Sequence, residues 1–357
     1  MIAMAAAPRV SVVVTCHDLG RFLDEAVGSV LAQTLAGVET IVVDDGSTDA
    51  DTLAVLDRIA HPGVRVLRLP HGGLAAARNA GLAAARGDYV CALDADDRLR
   101  PEYLEKAAAV LDTDPSAAFV SPWLRTFGDE QWDWTPERCD LPALLAECTV
   151  CTAALARRQA LLAAGGWDTG MPAQGYEDWE LWLTLVERGF DGRILPEVLF
   201  DYRIRPGSMS AGCTRGPAHA ALRRYMFDKH EASFRAHFFE VWRERDGAIA
   251  DLLHDNDERQ LELAQQLAPE VALRRRELAR LEDRLRQARE GGPRASDAPA
   301  VRRELAAQRA AWTEARREIA ALRESWSWRL TAPLRAGLDL LRSAIEQFRG
   351  ARRGTKR

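Results

Sequence analysis

Cysteine is scarce. The chain has six in 357 residues, too few for a disulfide scaffold. Cys148 and Cys151 stand as Cys-x-x-Cys. No second pair follows at zinc-finger spacing and no histidine lies close behind, so the pair reads as two small apolar residues. Long apolar runs are also missing. Nothing approaches the ~18 residues of a membrane-crossing helix, and Met1 to Pro8 lacks a basic segment followed by an apolar one, so no secretory signal is visible and a cytoplasmic location is expected. No Gly-x-Gly-x-x-Gly and no Walker loop occurs, which leaves dinucleotide oxidoreductases and P-loop kinases unsupported. Nor is there an excess of positive charge. The net charge of −5 argues against nucleic acid as a general partner.

What is present suits a globular enzyme. Hydrophobic residues make up 47% and charged residues 28%, enough for a core and against wholesale disorder. Val10 to Thr15 is a short β-branched run that reads as a buried strand, and Val38 to Val43, Val64 to Leu69 and Asp88 to Leu93 read as the second, third and fourth strands. Between them Leu19 to Thr34, Thr52 to Ala60 and Gly73 to Arg86 read as helices. Such alternation with short links implies parallel pairing. The expected fold is α/β: a Rossmann-like mixed, mostly parallel sheet with helices on both faces, followed by a long helical and coiled-coil extension. Beyond Pro101 the repeat loosens. Pro101 to Leu111, Leu141 to Glu147, Arg157 to Ala164 and Glu177 to Arg188 read as helices, Ala117 to Phe127 as one or two strands and Val198 to Arg205 as a last strand. The divisions expected are 9–215 (halves 9–97 and 98–215), a helical extension 216–290, a Gly/Pro-containing linker 291–300, a coiled-coil helix 301–326 and a basic tail 327–357. In 301–326 the seam Val301, Leu305, Gln308, Trp312, Ala315, Ile319, Leu322 and Trp326 steps by 4 and 3. It fits self-association, or equally an amphipathic helix lying on its own globular domain.

Three acidic constellations carry the chemistry. Asp94-Ala95-Asp96-Asp97 follows a strand, where two carboxylates one residue apart can share a ligand. Mg²⁺ characteristically takes one or two carboxylates plus phosphate oxygens, and a cation there would stabilise a departing diphosphate. Acidic turns after strands are common, however, so the pattern alone is weak. Asp44-Asp45-Gly46-Ser47 ends the second strand. An Asx turn capping the next helix accounts for Ser47 to Asp49, but less well for two adjacent acids, whose repulsion a cation or donor would relieve. Gly175-Tyr176-Glu177-Asp178-Trp179 opens a helix. Acids in a first turn suit the helix dipole, and one of them can equally serve as a general base for a hydroxyl nucleophile.

Together these segments resemble glycosyltransferase family 2. The resemblance runs through V-S-V-V-V-T-C-H-D from Val10, S-V-L-A-Q-T, I-V-V-D-D-G-S-T-D, A-A-A-R-N-A-G-L, A-L-D-A-D-D, then G-G-W-D at Gly165, G-Y-E-D-W-E-L-W at Gly175 and Y-R-I-R-P-G-S-M-S at Tyr202. It implies a GT-A-type fold, with a nucleotide-binding half over 9–97 and an acceptor-side half over 98–215. It also implies inverting transfer from a nucleotide-sugar, by default a UDP-sugar, with Mn²⁺ or Mg²⁺ as cofactor. Carried over by position, Thr15, Asp45 and Arg78 would contact the nucleotide, with Asp45 on the base. Asp94 would reach the ribose or metal, Asp96 would ligate the metal, and Asp178 would be the catalytic base. Gly166, Trp167 and Asp168, with Glu177 and Arg205, would shape the donor and acceptor pocket. Two positions depart from the family. Thr15-Cys16-His17-Asp18 stands where Pro-x-Tyr-Asn is frequent, and Arg205 stands where a metal-side histidine is frequent. An arginine there can neutralise diphosphate directly.

Trp132 and Trp134 are candidates to stack on acceptor sugars, although large aromatics are mostly core. From Trp326 onward eight Lys/Arg face two Asp/Glu, leaving −11 for the rest of the chain. Leu334, Leu338, Leu341, Ile345 and Phe348 form an apolar stripe beside Trp326 and Trp328. This combination fits a helix lying on an anionic membrane, or a partner-binding helix. Tails resembling S-W-R-L-T-x-P-L-R occur on bacterial enzymes of surface-polysaccharide assembly, lipopolysaccharide included. A glycan or lipid-linked acceptor is therefore expected, with the enzyme peripheral on the cytoplasmic face. The competing readings are a non-catalytic nucleotide-binding or phosphoacceptor module and a scaffold of a polysaccharide-assembly complex. The first does not predict the later E-D and Y-R segments, and three intact acidic sites disfavour the second.

Overall fold

A computed structural model describes residues 7–59, 61–208, 216–247, 269, 273, 275–287 and 298–323. Its strands form one mixed sheet in the order β3-β2-β1-β4-β8-β6-β9-β5, with β7 beside β6. The first half alternates as expected. β1 (Val10–Cys16), β2 (Val38–Asp45), β3 (Val64–Leu69) and β4 (Tyr89–Asp94) pair in parallel. They are linked by α1 (Gly20–Leu31), α2 (Ala50–Arg58) and α3 (Leu74–Ala84).

Strand periodicity sends alternate side chains to opposite faces. Val10, Val12 and Val14 therefore join the core under α1 and α2. Val13 joins a second core with Ile41, Val43 and the residues of α3. Both faces are thus covered, which explains why these strands read as unbroken apolar runs rather than alternating ones.

The second half mixes short antiparallel pairings with one long parallel one. β8 (Leu155–Arg157) lies between β4 and β6 (Ala117–Gly128), antiparallel to both. β9 (Asp191–Ile204) runs parallel to β6 with bulges, and the two-residue β5 (Arg98–Leu99) pairs antiparallel with β9. Ala117 to Phe127 is thus a single strand. The last strand starts at Asp191 rather than Val198, because it pairs with β6 from Ala117 onward; a Cβ on Gly192 would come within 2.3 Å of the Phe119 ring. β5 and β7 (Asp133–Trp134) are too short to show periodicity. The helices here are α4 (Tyr103–Thr113), α5 (Leu141–Ala146), α6 (Arg158–Ala164) and α7 (Glu177–Glu187).

Two compact units divide the chain, 1–244 and 245–357. The first extends past residue 215 because Met226 and Val241 are buried in the core that also holds Trp167 and Trp182. In the second, Val301 and Leu305 pack on Leu278 and Leu281 of the helix over 275–287. Glu282 accepts from Arg309 at 2.6 Å, and Glu304 lies 3.7 Å from Arg284. The first turns of the expected seam therefore face a helix of the same chain. The seam side chains at Trp312, Ala315, Ile319 and Leu322, together with Trp326 and the tail 327–357, lie outside the described residues. No helix among the described residues is long and apolar enough to cross a membrane.

Candidate functional site

A cavity of about 450 Å³ opens at the carboxyl ends of β1, β2 and β4, where ligands enter open α/β sheets. Thr15 is the last residue but one of β1, Asp45 ends β2 and Asp94 ends β4, with Asp96 in the turn beyond. Asp178 and Glu177 reach the cavity from the first turn of α7, and Arg203 and Arg205 from the end of β9. The three acidic clusters, separated by 133 positions between Asp45 and Asp178, thus converge on one cleft.

The loop after β2 divides its acids by task. Asp44 accepts from the Ser47 N–H at 2.9 Å, and Asp49 caps α2 by accepting from the Thr52 N–H at 2.9 Å. Asp18, at φ 53, accepts from the N–H groups of Thr48 and Asp49. Those hydrogen bonds hold its carboxyl below the usual range. Asp45 alone points at the cavity. Its carboxylate accepts from the N–H groups of Gly72 (2.7 Å) and Gly73 (3.0 Å) ahead of α3. Backbone N–H donors thus offset the crowding of Asp44 and Asp45.

Arg78 is the hub. It projects from α3, fully buried, and donates to Asp178 (2.5 Å), Asp94 (2.9 Å) and the Thr152 hydroxyl (2.8 Å). Its terminal nitrogens are committed to protein groups, so it braces both carboxylates from behind. Burial pushes the Asp178 carboxyl up from its ordinary value, and Arg78 opposes the rise. The Glu177 carboxyl is pushed up by burial as well, and it accepts from the Gly175 N–H at 2.7 Å.

The G-G-W-D turn works indirectly. Gly165 and Gly166 have φ 93 and 75, the left-handed region. A Cβ on Gly166 would lie 2.2 Å from the Asn79 side-chain oxygen. That closeness lets Asn79 clamp the Trp167 backbone, donating to its C=O at 2.7 Å and accepting from its N–H at 2.8 Å. The Trp167 indole N–H then donates to Asp178 at 3.2 Å. Asp168 turns away from the cavity. It accepts from the Tyr225 hydroxyl at 2.7 Å and pairs with Lys229, both on the helix Gly216–Lys229.

At the D-A-D-D turn, Asp94 accepts from the Thr15 hydroxyl at 3.1 Å and Asp96 from Arg205 Nε at 2.6 Å. Asp97 is buried, accepts from the Arg203 N–H at 2.7 Å and leaves Oδ2 without a partner among the described residues. Burial, with Asp94 and Asp96 nearby, drives its carboxyl well above the usual range. A hard cation fits this donor set in part. Asp94 and Asp96 stand together at the rim, but one Asp96 oxygen is engaged by Arg205.

Sequence reasoning passed over His71, Thr152, Gln174 and Arg203, all of which line the cavity. The alternation Tyr202-Arg203-Ile204-Arg205 on a strand was a readable signal for Arg203; the others are brought in by tertiary folding. Trp179 and Trp182 are core residues, Trp134 is half-buried, and Trp132 is 47% exposed. Cys148 and Cys151 are free; burial lifts the Cys151 thiol to about 12 and Cys148 further, which keeps both protonated.

Residues 11–163 match the family model described as Glycosyl transferase family 2. The putative glycosyltransferase EpsE of Bacillus subtilis is 30% identical over 211 residues, covering 56% of this chain and 74% of that protein. The succinoglycan biosynthesis protein ExoO of Rhizobium meliloti is 42% identical over 100 residues, 28% of either chain. In four further relatives, 30 to 38% identical, the match spans only 10 to 33% of the relative's own length. Among solved structures, Staphylococcus aureus TarS residues 1–349 in complex with UDP-GlcNAc superposes with a TM-score of 0.51 at 19% identity. That match covers 60% of this chain and 64% of that one, a likeness of fold.

Proposed function

The chain belongs to glycosyl transferase family 2, and from that premise we propose that it is an inverting glycosyltransferase acting on a nucleotide-sugar, by default a UDP-sugar. One observation supports this above the rest: Asp45, Asp94, Asp96 and Asp178 line a single cavity, with Arg78 spanning Asp94 and Asp178. Asp45 and Thr15 would receive the nucleoside and Asp94 the ribose. Asp178, raised by burial and steadied by Arg78 and Trp167, would take the proton of an acceptor hydroxyl as it attacks the anomeric carbon. One base and a diphosphate leaving from the opposite side give inversion. Arg203 and Arg205 at the rim can neutralise the departing diphosphate. A divalent cation, Mn²⁺ or Mg²⁺, would be held by Asp96 with Asp94, and when bound it adds Lewis-acid stabilisation of the same charge.

The acceptor in this reading is a growing or lipid-linked glycan, consistent with the match to a succinoglycan biosynthesis protein. The basic tail would hold the enzyme at the cytoplasmic face of the membrane, and residues 301–326 would serve self-association beyond the turns already packed in the chain. Donor hydrolysis, followed with and without Mn²⁺, tests the core of the proposal. Asp178→Asn should lower kcat by roughly 10²- to 10⁴-fold with donor binding retained. Full activity in that variant removes Asp178 as the base.

A further inference from the structure

Two histidines of the cavity have no part in the chemistry above. His17 follows β1 and His71 precedes α3, and their rings stack at 4.3 Å between centroids. Both Nδ1 atoms converge on Asp45. His17 Nδ1 is 2.8 Å from the Asp45 carbonyl oxygen, and His71 Nδ1 is 3.1 Å from that oxygen and 3.0 Å from Oδ2 of the carboxylate. The approach is built into the backbone. Gly46 has φ 69, and a Cβ there would lie 2.4 Å from the His71 backbone nitrogen. Among the described residues this is the one group of three His, Cys, Asp or Glu side chains whose ligand atoms all lie within 4.8 Å of one another.

The 3.0 Å between His71 Nδ1 and Asp45 Oδ2 is the length of one edge of a coordination shell, whereas the contacts to the Asp45 carbonyl oxygen are hydrogen bonds. Metal–ligand bonds of about 2.1 Å place neighbouring ligands roughly 3 Å apart. The carboxylate is buried and already oriented by the N–H groups of Gly72 and Gly73, the outer support that a metal ligand needs. The imidazoles are 44% and 55% exposed, so an ion can enter. Moving each ring proton from Nδ1 to Nε2 frees Nδ1 without releasing a proton to solvent. Imidazole and carboxylate together suit zinc and similar divalent ions, whereas Mg²⁺ prefers oxygen throughout.

We propose that His17, Asp45 and His71 form a site for a zinc-type divalent ion, separate from Asp94 and Asp96, and that its occupation excludes the nucleoside from Asp45. The second clause rests on the reading of Asp45 as a donor contact; the first does not.

Calorimetric titration of the full chain with ZnCl₂, in the absence of nucleotide, tests the site. Affinity is expected to fall roughly tenfold or more in His17→Ala and in His71→Ala, with MgCl₂ failing to compete. Zinc-edge X-ray absorption of the wild type supplies a readout independent of variant folding, and scattering from two imidazoles is expected. Zinc binding unchanged in both variants, or a spectrum without imidazole scattering, overturns the site. Uridine, which carries no phosphate to chelate zinc, tests the exclusion: its affinity should fall with zinc bound. Equal uridine affinity with and without zinc refutes exclusion while leaving the site standing. Failure of the metal-free protein to bind uridine at all counts against the donor reading of Asp45 and not against the ion.

Discussion

Asp178 gathers most of the consequences at the scale of single residues. Its carboxyl is raised by burial and faces Arg78, Asp94 and Glu177. A base works only when ionised, so activity should fall as pH drops through this raised value, above the range of an ordinary carboxylate. Arg78 favours the charged form. Arg78→Gln should therefore shift the acid limb of the kcat profile to higher pH, and Arg78→Lys, which keeps the charge, should hold the limb near that of the wild type while lowering kcat. A limb that stays in place or moves downward in Arg78→Gln would show that the guanidinium does not bear on the base. The resemblance singled out Arg78 in A-A-A-R-N-A-G-L. Its burial and its three protein partners were not legible there, because Thr152 and Asp178 come from segments far along the chain.

At the scale of elements, the site depends on how closely α3 lies on β1. Gly81 permits the approach: a Cβ there would stand 2.2 Å from Val13 Cγ1, inside a fully packed core. Gly81→Ala should cost about 1 to 3 kcal/mol through overpacking, read as a lower denaturant midpoint with an unchanged m-value. A midpoint at or above the wild type's would mean that α3 shifts freely. The helix Gly216–Lys229 provides a second brace, since Tyr225 and Lys229 hold Asp168, and Lys229 also pairs with the buried Glu180 of α7 at 2.8 Å. Composition marked residues after 215 as a helical extension. Only packing showed that Met226 and Val241 finish the core that holds Trp167 and Trp182.

The whole molecule joins the acidic cleft, in the unit ending at Glu244, to a second unit that contains the helix Ala298–Arg323. The basic tail at its end fits attachment to an anionic surface. Chain ending at Ser325 should pellet less with vesicles containing phosphatidylserine than the full chain, and added salt should weaken the full chain's binding. Undiminished pelleting of the shortened chain would refute a membrane role for the tail. Sedimentation velocity of the full chain against one ending at Ala300 reads self-association through 301–326.

The sequence by itself determined the strand–helix alternation of the first half, because period and turn chemistry act over a few neighbours. It determined too that carboxylates would stand at the ends of β2 and β4 and at the start of α7. Tertiary structure decided what those acids face. It turned Asp168 outward, set Arg205 on Asp96, placed Arg78 between Asp94 and Asp178, and brought His17 and His71 onto Asp45. Each of these is a contact between distant segments. Local pattern carries no information about them, since the geometry arises only when the sheet closes on its helices.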